Sequence, residues 1–277
     1  MFVRLDRVQL VSGLPESRRP PDIEGFTITW DHFVRSQTTT STYARCREYQ
    51  SVTNNTKVYW QYCRQKGWLE PWKITIVPDD DSGLSREELE RVLSHCRFYR
   101  FLLIEIAIDF SPSAGVNRQF MRRHGVFGKS HRLAKKKGND LYYGSRKSDK
   151  RVHCYDKIEL GVYRVEAELH SGLLRRHGIS VVDDLVHLPE VVCPKHLRFV
   201  DFDWNRLSRH MANKCGARSN GVVAAMRRRT TSILRLQRYL RRKGIFNTHR
   251  FLVPSAINKD VSRALQRWVR GFASEEI

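Results

Sequence analysis

At 277 residues and 40% hydrophobic content, the chain can bury one large core or two smaller ones. A net charge of +21 and a pI near 10.1 recruit a polyanion, with nucleic acid the default and an anionic membrane surface the weaker alternative. No run approaches the ~18 apolar residues of a membrane-crossing helix. The start, MFVRLDRVQLVSG, lacks the apolar core of a signal peptide, and none of the six cysteines stands in a Cys-x-x-Cys pair. Zinc spacing is therefore absent, and the thiols read as reduced, packing residues of a cytoplasmic protein.

Taken in order, residues 1–24 are mixed and broken by Pro-Glu-Ser-Arg-Arg-Pro-Pro at 15–21, which predicts a flexible leader. FTITWDHFV at 26–34 predicts a strand. Residues 35–56, rich in Ser, Thr, Asn and Gln, predict a long loop with a short helix near 43–50. Strands are expected at 57–62 and 73–77, followed by an acidic turn at Asp79-Asp80-Asp81. Ser85 with Glu88 three residues on makes a capping box for a helix to about Arg97. FLLIEIAIDF at 101–110 is the strongest strand, apolar enough for the centre of a sheet. Glu105 and Asp109 interrupt it on one face, where ionised carboxylates are costly unless paired or metal-bound.

Beyond it, 116–126 predicts a short basic helix, and HRLAKKKG at 131–138 a basic hairpin tip or strand. Its Lys135, Lys136 and Lys137, with Arg146 and Lys147 a few residues on, suit phosphate contact. Three short strands follow at 140–144, 151–158 and 162–170. Alternation puts His153, Tyr155 and Lys157 on one face of the second, and Arg164, Glu166, Glu168 and His170 on one face of the third. Neighbouring strands with polar faces read as the floor of a site; a salt-bridged solvent face is the plainer reading of the same pattern. A tyrosine oxygen can attack a phosphodiester, and paired carboxylates can hold a divalent metal that polarises the phosphoryl group. Short helices are expected at 173–177 and 181–188, with a boundary near 190–195. From Trp204 to Lys259 there is no Asp or Glu. Residues 220–243 read as one Arg-rich helix capped by Gly244, in which Arg227, Arg228 and Arg229 are candidate DNA contacts, and a last helix is expected at about 255–272.

Three motifs together resemble the Rep_trans family of rolling-circle replication initiators of small plasmids and filamentous phages. IEIAIDF is similar to that family's acid-hydrophobic-alanine-x-aspartate strand, with Ile104 where the family often has Arg and Glu105 where it often has Asp. YYGSRKSDKRVHCYDK is similar to its aromatic-glycine and arginine-x-tyrosine-x-lysine run, with His153 at the arginine position. YRVEAELH matches its aromatic-arginine-x-glutamate-x-glutamate strand. The resemblance covers roughly 73–170. It implies a nicking–closing enzyme in which Tyr155 cleaves one strand of origin DNA, leaving a 5′-phosphotyrosine and a free 3′-OH. A second transesterification rejoins the strand, and a helicase partner unwinds ahead of the polymerase.

The expected architecture is α+β: a mostly antiparallel central sheet with helices on one face at 25–200, then a basic helical region at 201–277. Tyr155 is the candidate nucleophile and Lys157 its cationic neighbour. Arg164 orients the acids or contacts phosphate, and His153 is a candidate proton acceptor. No two histidines lie two residues apart, so the acids Glu105, Asp109, Glu166 and Glu168 are the candidate cage, and oxygen ligands favour Mg²⁺ or Mn²⁺. Tyr142 and Tyr143 are rival nucleophiles or base-stacking residues. A homodimer is compatible with this reading. A non-catalytic DNA-binding regulator on the same fold is the alternative, and a tyrosine recombinase ranks below both.

Overall fold

The computed structural model describes residues 1–13, 19–33, 43–64, 70–80, 82–126, 133–145, 148–215, 219–229, 233–274. Its strands, in chain order, are β1 (Phe2–Ser12), β2 (Phe26–Phe33), β3 (Tyr43–Ser51), β4 (Lys57–Arg64), β5 (Trp72–Val77), β6 (Tyr99–Phe110), β7 (Gly125–Val126), β8 (Leu133–Lys137), β9 (Asp140–Tyr143), β10 (Lys150–Lys157), β11 (Val162–His170), β12 (Arg198–Phe202) and β13 (Leu252–Pro254). The helices are α1 (Arg86–Leu93), α2 (Arg118–His124), α3 (Ser171–Arg176), α4 (Leu188–Val191), α5 (Trp204–Cys215), α6 (Ser219–Arg229), α7 (Ile233–Arg242) and α8 (Ile257–Ser274). Ten strands form one sheet in the order β2-β3-β4-β5-β1-β6-β11-β10-β9-β8, every pairing antiparallel. A small sheet, β13-β12-β7, lies apart from it. The architecture is the expected α+β, with a large antiparallel sheet and helices packed on one face.

Alternation decides which face is which. Ile104, Ile106, Ile108 and Phe110 of β6 and Val165, Ala167 and Leu169 of β11 are buried in the main core. Leu173 and Leu174 of α3 join them there, as do Val261 and Leu265 of α8. The intervening residues of the same strands, among them Glu105, Asp109, Arg164 and Glu166, point to the opposite face. α1 begins as expected: Glu88 N–H donates to Ser85 Oγ at 3.1 Å and Ser85 N–H to Glu88 Oε2 at 3.4 Å. It stops at Leu93, short of Arg97, once Leu89, Val92 and Leu93 have been buried.

Several expectations are corrected. The first twelve residues are no flexible leader: β1 lies in mid-sheet between β5 and β6. Its apolar alternation, Val3-Leu5 and then Val8-Leu10, changes phase across a bulge at Asp6-Arg7, where the register with β6 shifts between Leu5 and Arg7. That change of phase, carried by two charges, conceals the strand from a period-two reading. Residues 43–50 are strand β3, with Tyr43, Cys46 and Tyr49 buried, where a short helix was expected. The long helix expected at 220–243 is two helices, α6 and α7. Gly244 follows α7 at φ +76°, and the Gly244 N–H donates to Arg241 O at 3.0 Å, as a C-terminal glycine cap requires.

The C-terminal stretch also divides. Leu207, Met211, Val223, Met226, Leu236, Leu240 and Phe251 build a second core around α5, α6 and α7. α8 instead returns to the main core through Val261, Ala264, Leu265 and Phe272. No helix among the described residues is long and apolar enough to cross a membrane.

Because β1 is central, removing residues 1–12 should abolish the cooperative thermal transition, where loss of a leader would leave it unchanged. Leu5→Ala, which empties a fully buried position, should cost roughly 2–5 kcal/mol in a denaturant melt.

Candidate metal and nucleophile site

The polar face of the sheet is built in rows across β1, β6, β11, β10 and β9. One row runs Arg4, Ala107, Glu166, His153, Tyr142, and the next runs Phe2, Asp109, Arg164, Tyr155. On the other side of the first, Arg7, Glu105, Glu168 and Arg151 lie in register. The antiparallel pairing of these five strands thus gathers residues that stand far apart in the chain.

Arg164 is the hub. It is 1% exposed, and all its described partners are carboxylates. Nε donates to Asp109 Oδ1 at 2.8 Å and Nη2 to Asp109 Oδ2 at 3.1 Å, a bidentate fork. Nη1 reaches Asp6 Oδ1 at 3.1 Å and Asp80 Oδ1 at 3.0 Å. Asp109 is also paired with Arg4. Lys157 Nζ donates to the other oxygen of Asp80 at 2.8 Å. Of the two roles open to Arg164, orienting the acids is the one its buried geometry matches.

Three carboxylates remain without full cationic compensation. Asp6, Glu105 and Glu166 each offer an oxygen, all within 4.8 Å of one another, so the cluster can hold a metal ion. Glu105 Oε2 is buried with no hydrogen-bond partner, and its ion-pair partner, Arg7 Nη1, is 3.4 Å away. Burial, then the charges of Glu166, Asp6 and Glu168, push the Glu105 carboxyl up to about 8. Burial and the charge of Glu166 likewise push Asp6 up to about 6, against the pull of Arg164. An all-oxygen set of this kind suits a hard divalent cation, and such an ion would supply the missing positive charge.

The other two expected ligands are engaged elsewhere. Asp109 is held by Arg4 and Arg164. Glu168 accepts from Arg151 Nη1 at 3.0 Å and pairs with His170 at 3.6 Å. Burial raises the Glu168 carboxyl, but the His170 hydrogen bond and the Arg151 charge outweigh it and hold the group below its ordinary range. Of the expected cage the structure brings together Glu105 and Glu166, and the third member is Asp6. The leader reading of 1–24 concealed it; the signal available was the Asp-Arg pair between two apolar alternations. Asp80 was missed as well, as one acid of a turn.

Tyr155 O–H donates to Glu166 Oε1 at 2.5 Å. Burial, then the charge and hydrogen bond of Glu166, raise the phenol above its ordinary value. The phenol is therefore held protonated beside a carboxylate able to accept its proton. Lys157, expected beside the phenol, is tied to Asp80. His153 uses both ring nitrogens on acids, Nδ1 with Glu166 Oε2 at 2.9 Å and Nε2 with Asp140 Oδ2 at 3.0 Å. Burial lowers the imidazole, but these two hydrogen bonds outweigh it and raise it. Its ring is stacked between Tyr142, at 4.3 Å and 3°, and Tyr155, at 4.4 Å and 23°. Neither rival tyrosine shares this geometry. Tyr143 is buried and donates to Met121 O at 3.1 Å. Tyr142 is stacked on His153 and has the Arg151 guanidinium 4.5 Å over its ring.

Lys135, Lys136 and Lys137 belong to edge strand β8. Arg146 and Lys147 fall outside the described residues. Arg227 and Arg228 are exposed on α6, which ends at Arg229.

No protein-family model matches the chain, and no curated protein matches it. Fold and geometry by themselves define an antiparallel-sheet protein with a carboxylate cluster that can hold a metal, set beside a carboxylate-bonded tyrosine.

Two outcomes follow from the charges. A carboxyl with a raised folded pKa favours the fold below its unfolded value, near 4, and loses that contribution as pH rises through the folded value. His153, also raised, acts in the same sense. His196, lowered to about 4 by burial and the Lys150 charge, acts oppositely but only below its ordinary 6.5. The melting temperature of metal-free protein should therefore fall between pH 6.5 and 8.5, and Glu105→Gln should flatten that fall. Added Mn²⁺ should raise the melting temperature more at pH 8.5 than at 6.5. Separately, Arg164→Ala leaves Asp109 and Asp6 short of a buried partner and should cost about 3–5 kcal/mol in denaturant unfolding.

Proposed function

We propose that the protein nicks and rejoins one strand of DNA at a replication origin through a covalent 5′-phosphotyrosine on Tyr155. The observation that carries the reading is the Tyr155 hydrogen bond to Glu166, itself one of the three clustered carboxylates. Glu166 takes the phenolic proton as Tyr155 Oη attacks the phosphorus. The Oη–P bond forms, the P–O3′ bond breaks, and the departing 3′ oxygen is protonated to a free 3′-OH. Rejoining is the reverse displacement, with a 3′-OH attacking the phosphotyrosine and Tyr155 regaining a proton. One phosphodiester is exchanged for another, so the reaction needs no nucleotide triphosphate.

Asp6, Glu105 and Glu166 would hold Mg²⁺ or Mn²⁺, which when bound supplies Lewis-acid stabilisation of charge on the phosphoryl oxygens. The Arg164–Asp109–Arg4 network keeps the acids at their stations, and the Tyr142–His153–Tyr155 stack keeps the phenol at its own. Charge supports DNA as the substrate. The segment without acids spans α5, α6 and α7, and α7 exposes Arg235, Arg238, Tyr239 and Arg242 at helical spacing on one stripe, with Arg227 and Arg228 exposed on α6. A helicase as a functional partner, a cytoplasmic setting and a plasmid or phage replicon belong to the same reading.

The test is incubation with labelled origin DNA and Mn²⁺ beside Tyr155→Phe. A denaturation-resistant protein–DNA adduct should form with the parent and vanish in the variant. An adduct surviving Tyr155→Phe would overturn the nucleophile, and DNA binding without any adduct would favour the non-catalytic regulator. Arg238→Ala with Arg242→Ala should weaken duplex binding and lower the salt slope of log K by roughly 1–2, with less effect on cleavage of a short single-stranded oligonucleotide.

A further inference from the structure

Four groups form an unbroken chain from β9 to the nucleophile. Asp140 Oδ2 meets His153 Nε2 at 3.0 Å, His153 Nδ1 meets Glu166 Oε2 at 2.9 Å, and Glu166 Oε1 accepts from Tyr155 O–H at 2.5 Å. The imidazole is fixed in its plane as well as at its nitrogens, stacked between Tyr142 and Tyr155. Strand register builds this arrangement, since His153 lies opposite Glu166 on one side and opposite Tyr142 on the other.

Without His153, Glu166 could rotate about its last bond and offer either oxygen to the phenol. With His153 locked, one oxygen is committed to the imidazole and the other to Tyr155. Asp140 is separated from Glu166 by the whole imidazole ring, and its own oxygen is half taken by Tyr142 O–H at 3.3 Å. It belongs to the nucleophile's apparatus without belonging to the carboxylate cluster.

We propose that Asp140 and Tyr142 are positioning residues that act through His153 to hold the Glu166 carboxylate in the one orientation that serves both the cation and the Tyr155 phenol. This rests on the nicking reading for its catalytic consequence, but not for its consequence for metal binding. Partners that orient a metal-ligating group typically contribute 10–100-fold to affinity or activity.

The experiment titrates Mn²⁺ into DNA-free protein by electron paramagnetic resonance and measures single-turnover adduct formation. It compares the parent, Asp140→Asn, Asp140→Glu and Tyr142→Ala. Asp140→Asn should weaken Mn²⁺ affinity about tenfold and slow adduct formation 10–100-fold, with the DNA concentration for half-maximal rate unchanged. Asp140→Glu should recover part of both, and Tyr142→Ala should reproduce a smaller share. Unaltered Mn²⁺ affinity in both Asp140→Asn and Tyr142→Ala, with native melting temperatures, would overturn the proposal. If the parent forms no adduct, the nicking reading fails alone, and the Mn²⁺ titration still decides whether Asp140 and Tyr142 position Glu166.

Discussion

A buried guanidinium holds this structure's polar face together. Arg164 sits at 1% exposure in a central strand and would be prohibitively costly there without its carboxylates. It grips Asp109 with two nitrogens and reaches Asp6 and Asp80 with the third. Those contacts tie together β1, β6, β11 and the turn after β5. Arg4 adds a second cation on Asp109, and Lys157 a second on Asp80. The network compensates charge unevenly, and that unevenness is its chemical content. Asp109 and Asp80 are well served, whereas Glu105 and Asp6 are left to repel Glu166.

The uncompensated acids form a cluster that can hold a cation. A solvated face would leave its carboxylates near their ordinary range. Here Glu105 is raised to about 8 and Asp6 to about 6 because burial and mutual repulsion act on both. Ala107, in register between Arg4 and Glu166, brings only a methyl group to this face. Burial, and then the carboxylate that accepts its hydrogen bond, raise the phenol of Tyr155. Glu166 therefore belongs to both arrangements, as one of the three clustered carboxylates and as the acceptor of the Tyr155 hydroxyl.

Charge is distributed unevenly along the chain. The large sheet carries the acids, while the second core, around α5, α6 and α7, is enclosed by basic residues without any acid between Trp204 and Lys259. The return of α8 to the main core anchors that basic unit at both ends, through β12 and through α8.

Much of the site was legible in the sequence because strands announce their faces. Alternation in YRVEAELH and IEIAIDF placed Arg164, Glu166, Glu105 and Asp109 on polar faces, and KRVHCYDK placed His153 and Tyr155 together. The capped start of α1 and the glycine end of α7 were local and followed from capping chemistry. Tertiary structure alone decided the division of labour among the acids. Whether Asp109 is a ligand or a partner of Arg164 depends on which strand lies beside it, and that strand pairing is set by register across long sequence separations. Asp6 was invisible for a related reason: a bulge breaks the alternation of β1, and only the neighbouring strands β5 and β6 reveal that the broken pattern is a strand at all.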